Sequence, residues 1–150
     1  MKKIIFLCAT AIFCTGIFAS PIRTPNKSEK ILKLFHQDFP EVVNPTVFAV
    51  GKTYMIYFKN ENDHSSCRIF YDSDGAVLET YKYYSCAELA PFLRAKINAQ
   101  YGGKKITGVT EVTSPVEHYY HIVLEDNQSL FMINVDATGN INLEKKFDKD

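Results

Sequence analysis

Apolar residues change period along this chain. Ile31, Leu32, Leu34, Phe35 and Phe39 recur at the three- and four-residue steps of an amphipathic helix. Phe39-Pro40 closes it, because the residue before a proline avoids helical geometry. From there the period drops to two. Residues 46–50, a Gly51-Lys52 turn and residues 53–59 read as a hairpin from their β-branched and aromatic content. A polar tip over 60–66 leads to a third strand at 67–72, and Asp74-Gly75 supplies the positive φ of a tight turn before a fourth strand from 76 to about 83.

The same order then returns. Ser85-Cys86-Ala87-Glu88 has the serine and glutamate of a capping box, but Pro91 would break a helix already two turns long. A short turn is therefore expected, with the main helix starting near Pro91. Leu89, Phe92, Leu93, Ile97 and Tyr101 would form its buried stripe, and Gly102-Gly103 ends it. Strands follow near 106–113, 118–125, 129–136 and 140–146. Ser114-Pro115, Asp126-Asn127 and Thr138-Gly139 are the turns between them.

The two halves also agree residue by residue. Tyr71-Asp72-Ser73-Asp74-Gly75-Ala76-Val77-Leu78-Glu79 returns as Val135-Asp136-Ala137-Thr138-Gly139-Asn140-Ile141-Asn142-Leu143-Glu144, and Tyr54-Met55-Ile56-Tyr57-Phe58 as Tyr120-His121-Ile122-Val123-Leu124. The expected fold class is therefore α+β, a tandem duplication of a helix plus four-stranded antiparallel sheet unit, with units at 20–84 and 85–150. Alternation in 120–125 and 131–136 sets the buried register, which places Tyr54, Ile56, Phe58, Cys67, Ile69 and Tyr71 inside. Met55, Tyr57, Lys59, Arg68, Phe70 and Asp72 then face the other way.

The N-terminus changes the picture of where this fold works. Met1-Lys2-Lys3 and the apolar run to Phe18-Ala19 have the form of a secretory signal peptide over 1–19, cut after Ala19 or within a few positions of it. A retained anchor is disfavoured because the run is short and no stop-transfer flank follows. The mature chain is expected to be exported, periplasmic or extracellular, with no membrane anchor after cleavage. Over the whole chain 17 Lys and Arg balance 17 Asp and Glu, and loss of Lys2 and Lys3 tips the balance to a slight acidic excess. Nucleic acid is excluded as a partner on that ground, since polyphosphate binding depends on a basic face.

Cys67 and Cys86 remain after cleavage. In an oxidising compartment they could form a bridge contributing roughly 3 kcal/mol, or remain two buried free thiols; spacing alone does not fix their Cα geometry.

The titratable and nucleophilic residues show little catalytic patterning. His36, His64, His118 and His121 are the histidines, and His118 and His121, three apart in a strand, point to opposite faces, so no metal site is expected. Asp72-Ser73-Asp74-Gly75 lacks the later glutamate of a calcium loop and reads as a hairpin turn. No serine sits in a Gly-x-Ser-x-Gly elbow, and Gly102-Gly103-Lys104-Lys105 follows a helix instead of opening one. The sequence implies no cofactor and no enzyme.

The helix ending in Phe39-Pro40, the Tyr54-to-Phe58 strand, the Tyr71-Asp72-Ser73-Asp74-Gly75 hairpin and their recurrence resemble the PepSY-like family of exported bacterial proteins, also described as β-lactamase-inhibitor-like. The resemblance spans about residues 25–147 and its motifs are degenerate. The chain has no tryptophan where many relatives carry one near the first strand. Membership would imply an exported, non-enzymatic protein whose sheet face grips another protein.

The residues and the resemblance lead to one expectation: a protein-binding module, including the version that inhibits a hydrolase or peptidase, acting on a protein or peptide. Its contact residues would be Met55, Tyr57, Arg68 and Phe70, with Val123 and Met132 from the second half. Packing of the two halves against each other explains the same residues. The alternative function is a structural or accessory envelope protein whose sheet faces are consumed by self-association.

Overall fold

The computed structural model describes residues 26–149. Helix α1 (Lys27–Asp38) is followed by strands β1 (Thr46–Val50), β2 (Thr53–Lys59), β3 (Ser66–Tyr71) and β4 (Val77–Tyr84). Helix α2 (Pro91–Gln100) then leads into β5 (Lys105–Thr113), β6 (His118–Glu125), β7 (Ser129–Asp136) and β8 (Ile141–Asp148). All eight strands form one antiparallel sheet in the order β1-β2-β3-β4-β5-β6-β7-β8. The signal peptide expected over 1–19 lies outside the described residues.

This architecture corrects the expected fold class. The chain is not a tandem pair of helix plus four-stranded units. Over the described residues it is a single, mostly sheet structure of eight strands with two helices. The overturning contact is the ladder between β4 and β5, which pairs Thr80 with Thr113, Tyr81 with Val112, Lys82 with Glu111, Tyr83 with Thr110 and Tyr84 with Val109. At the edge of a four-stranded unit β4 would leave unpaired backbone groups along its free side, and β5 satisfies them. Pairing across an intervening helix leaves no periodic trace in the sequence.

Both helices lie on one face of the sheet. Ile31 and Phe35 of α1 pack with Ile56, Phe58, Cys67, Ile69 and Tyr71. Leu93 and Ile97 of α2, with Leu89 before it, pack with Val109, Ile122, Leu124, Phe131, Ile133 and Val135. The register anticipated from alternation is therefore the observed one, with Tyr54 half-buried at the margin. Phe92 is a correction: it is 50% exposed, because its neighbour Leu93 occupies the sheet-facing position of α2.

Two hairpins tie the helices down. At the β3–β4 turn the Asp72 carboxylate oxygen Oδ1 accepts the amides of Asp74, Gly75 and Ala76 at 2.8–2.9 Å, with Gly75 at φ +100°. At the β7–β8 turn Asp136 Oδ1 accepts Thr138 and Asn140 amides, with Gly139 at φ +84°. Lys30 of α1 donates to the Asp74 carbonyl at 3.0 Å and Lys96 of α2 to the Thr138 carbonyl at 2.8 Å.

Between the two cores the helix face is polar. Tyr84 donates to Glu111 at 3.1 Å, Glu111 pairs with His118 at 2.8 Å, and Lys82 reaches Asp63 of the β2–β3 loop at 2.7 Å. This seam runs along the β4–β5 ladder.

Candidate functional site: the open face of the sheet

The face opposite the helices is assembled by cross-strand pairing. Phe48, Met55, Phe70 and Glu79 stand in one row across β1 to β4. The next row runs Tyr57, Arg68, Tyr81, Val112, Tyr119 and Asp136, from β2 to β7. A third holds Tyr83, Thr110, His121 and Asn134. Gly108, Val123, Met132 and Lys145 make a fourth.

These rows separate the six residues singled out from the sequence. Met55, Tyr57, Arg68 and Phe70 are mutual neighbours on β2 and β3. Val123 and Met132 pair with each other on β6 and β7, but β4 and β5 lie between them and the first group. Cys67 is on the other face, buried under α1, whereas Cys86, expected to be buried as a free thiol, is exposed after β4; the structure holds both as free thiols. Burial is the main cause that pushes the Cys67 thiol above its ordinary range.

What the sequence did not reveal is the aromatic contribution of the middle strands. Phe70 meets Tyr81 edge-on at 5.7 Å between ring centroids, and Tyr81 stacks beside Tyr83 at 6.5 Å. The Arg68 guanidinium lies 5.2 Å from the Tyr83 ring centroid, a contact contributing roughly 0.5–1 kcal/mol at an exposed site. Val112, between Tyr81 and Tyr119 in its row, is fully buried although it faces away from the helices. On β4 each face mixes aromatic and polar residues, Glu79, Tyr81 and Tyr83 on one and Thr80, Lys82 and Tyr84 on the other, so no apolar contrast told which side Tyr81 and Tyr83 would take.

The face is chemically graded. At the β1–β3 end, Phe48, Met55, Tyr57 and Arg68 line a shallow hollow of about 240 Å³. Toward β6 to β8, Glu117, Tyr119, His121, Asn134, Asp136 and Glu144 line a wider, polar hollow of about 520 Å³, with His118 at its margin. Tyr81 donates to Glu79 at 2.7 Å, and that bond, with burial second, pushes its phenol up to about 12. Burial raises the Tyr119 phenol as well, followed by the Glu79, Glu117 and Glu144 carboxylates around it. At neutral pH both phenols are hydrogen-bond donors beside carboxylate acceptors. His121 Nδ1 lies 3.2 Å from Glu144 Oε2 but outside hydrogen-bonding geometry, and is itself shielded from solvent.

His118 and His121 point to opposite faces, the first toward Glu111 and the second toward Glu144. Among the described residues no three His, Cys, Asp or Glu side chains converge as a metal would need, and no helix is long and apolar enough to cross a membrane.

No family model and no curated protein matches the chain. Solved structures do resemble it. A DUF2874 family protein from Bacteroides ovatus superposes with a TM-score of 0.65 at 15% identity, over 83% of this chain and 86% of that one. A BLIP-like protein from Bacteroides fragilis superposes with a TM-score of 0.64 at 15% identity, over 81% and 85%. A protein provisionally described as periplasmic, from Bacteroides eggerthii, gives 0.64 at 12% identity, over 80% and 87%. At these identities the shared property is the fold, an eight-stranded sheet of the BLIP-like kind.

Proposed function

We propose that this chain is an exported, non-enzymatic protein-binding module that grips a partner protein on the open face of its sheet. The observation that carries the reading is the run of aromatic and apolar side chains on that face, continued across β5 by the buried Val112. Phe48, Met55, Tyr57, Phe70, Tyr81, Tyr83 and Tyr119 span six strands with Arg68 among them. Solvated sheet faces are ordinarily polar, whereas Tyr, Met and Arg are the residue types that carry binding energy at interfaces.

Charge narrows the partner. The β1–β3 hollow is apolar, and the β6–β8 hollow is ringed by carboxylates. The complementary surface presents an apolar side chain to Phe48, Met55 and Tyr57, and a basic one to Glu79, Glu117 and Glu144. The PepSY-like resemblance and the BLIP-like fold are compatible with a partner that is a secreted hydrolase or peptidase held in an inhibited state.

The test compares the parent protein with a Tyr57→Ala/Phe70→Ala double variant. Both side chains are half-buried on the open face, outside either core. The variant is expected to keep its Tm within a few degrees while losing at least about 2 kcal/mol of affinity for a protein captured from the exported fraction and then purified. Equal binding by both proteins would overturn the assignment of the face. If instead the parent alone shows mass rising with concentration and captures nothing, the face serves self-association.

A further inference from the structure

Among the described residues the sheet ends in two unpaired edge strands, β1 and β8, and they are not alike. β8 carries Glu144, Lys145, Lys146 and Asp148, and its ladder is irregular where Met132 and Ile133 pair with Lys145 and Leu143. Charges and bulges are how sheet edges resist further pairing. β1 reads Thr46-Val47-Phe48-Ala49-Val50, with no charge, no proline and an unbroken register. Phe48 is 45% and Val50 52% exposed. Val50 and Thr53 flank the Gly51-Lys52 loop and pair directly, so they exchange hydrogen bonds, and ladder alternation turns the peptide groups of Thr46, Phe48 and Val50 toward β2. The N–H and C=O groups of Val47 and Ala49 point out of the sheet.

We propose that β1 pairs antiparallel with β1 of a second copy of this chain, about a two-fold axis through Phe48. In that register Val47 stands opposite the second copy's Ala49. Both residues of each such pair turn their free N–H and C=O toward the joint, so each pair exchanges two hydrogen bonds. Phe48 meets its counterpart at the closely spaced, non-bonded position, where aromatic pairs contribute most. Charge selects β1 as the mate: pairing with β8 would lay this uncharged strand along Glu144, Lys145 and Lys146 and would propagate as an open chain. The two-fold joint contains no charged residue and closes on itself. A five-residue strand buries less than a standard interface, so the dimer belongs to the weak, concentration-dependent class. The proposal does not rest on the partner-binding reading: of the open-face residues only Phe48 enters the joint, and an edge-to-edge contact leaves Met55, Tyr57, Arg68 and Phe70 of both copies free.

Sedimentation equilibrium and amide exchange on protein expressed from the full chain test it. Ala49→Pro deletes an outward donor without removing any bond to β2, and Ala49→Lys places a charge on the edge while keeping the backbone donor. The parent is expected to approach twice the monomer mass as concentration rises, with the dissociation constant weakened about tenfold or more in both variants. Amides of Val47 and Ala49 should gain protection only in the dimer, while that of Phe48 is protected throughout. Monomeric mass up to about 1 mM overturns the proposal. So does a dimer in which Val47 and Ala49 still exchange freely, or one that survives both Ala49 variants and is lost in Tyr57→Ala/Phe70→Ala. None of these edge results alters the partner titration that tests the face.

Discussion

Asp63 sits in the β2–β3 loop, yet it closes a network that reaches the middle of the sheet. Its Oδ2 pairs with Lys82 at 2.7 Å, and its Oδ1 accepts the Ser65 hydroxyl at 2.6 Å and the Ser65 amide at 3.0 Å. Lys82 first, then the Ser65 hydroxyl, hold this carboxyl well below the usual carboxylate range. A depressed carboxyl stabilises the fold fully above its unfolded value of about 3.8 and loses that contribution as pH falls through the folded value. Both partners are about a third exposed, so solvent screening holds the effect to about 1 kcal/mol. Asp63→Asn is therefore expected to lower the unfolding free energy by about that amount at pH 7, with the gap to the parent narrowing below about pH 4. Urea titrations at neutral and acid pH measure it, and a gap that stayed constant would contradict the assignment. At this scale the sequence was partly legible. Arg68 and Tyr57 were marked by alternation with buried neighbours, but Glu117 and Glu144 were not, because nothing in a loop or at a bulge announces the row it will join.

The elements themselves were mostly readable, because their signals are local. Phe39-Pro40, Pro91 and the Asp-Gly turn each act within a few residues, and α1, α2 and the strands fall where those signals place them. The two hairpin glycines separate local need from packing need. Both have positive φ, but a Cβ on Gly75 would stand 2.3 Å from Leu34 Cδ1, and one on Gly139 would meet the Lys96 side chain at 2.6 Å. Leu34 is half-buried against the turn, while Lys96 is exposed and can swing into solvent. Each alanine should cost about 1 kcal/mol for backbone conformation. Gly75→Ala should cost a further 1–2 kcal/mol or so for moving Leu34. Equal losses in thermal melts of the two variants would show that α1 does not press on the β3–β4 turn.

At the scale of the molecule the decisive contact was invisible in advance. Tyr81 to Val112 and Lys82 to Glu111 join strands separated by a helix, and neither strand carries a pattern that selects the other. The sheet therefore has one continuous backbone ladder but two apolar cores, with the polar seam of Lys82, Tyr84, Glu111 and His118 between them. Apolar burial gives most of the cooperativity of a fold, so the seam is where it is weakest, and the amides of β4 and β5 should exchange through a local opening well below the global unfolding energy. The row from Tyr57 through Tyr81, Val112 and Tyr119 crosses that line on the opposite face. A partner lying along the row would act as a splint, and exchange of the Tyr81 to Tyr84 and Val109 to Val112 amides should slow on binding more than exchange inside either core. The joint between the halves would then set the stiffness of the gripping surface, so that this protein's grip is firm only while something is held.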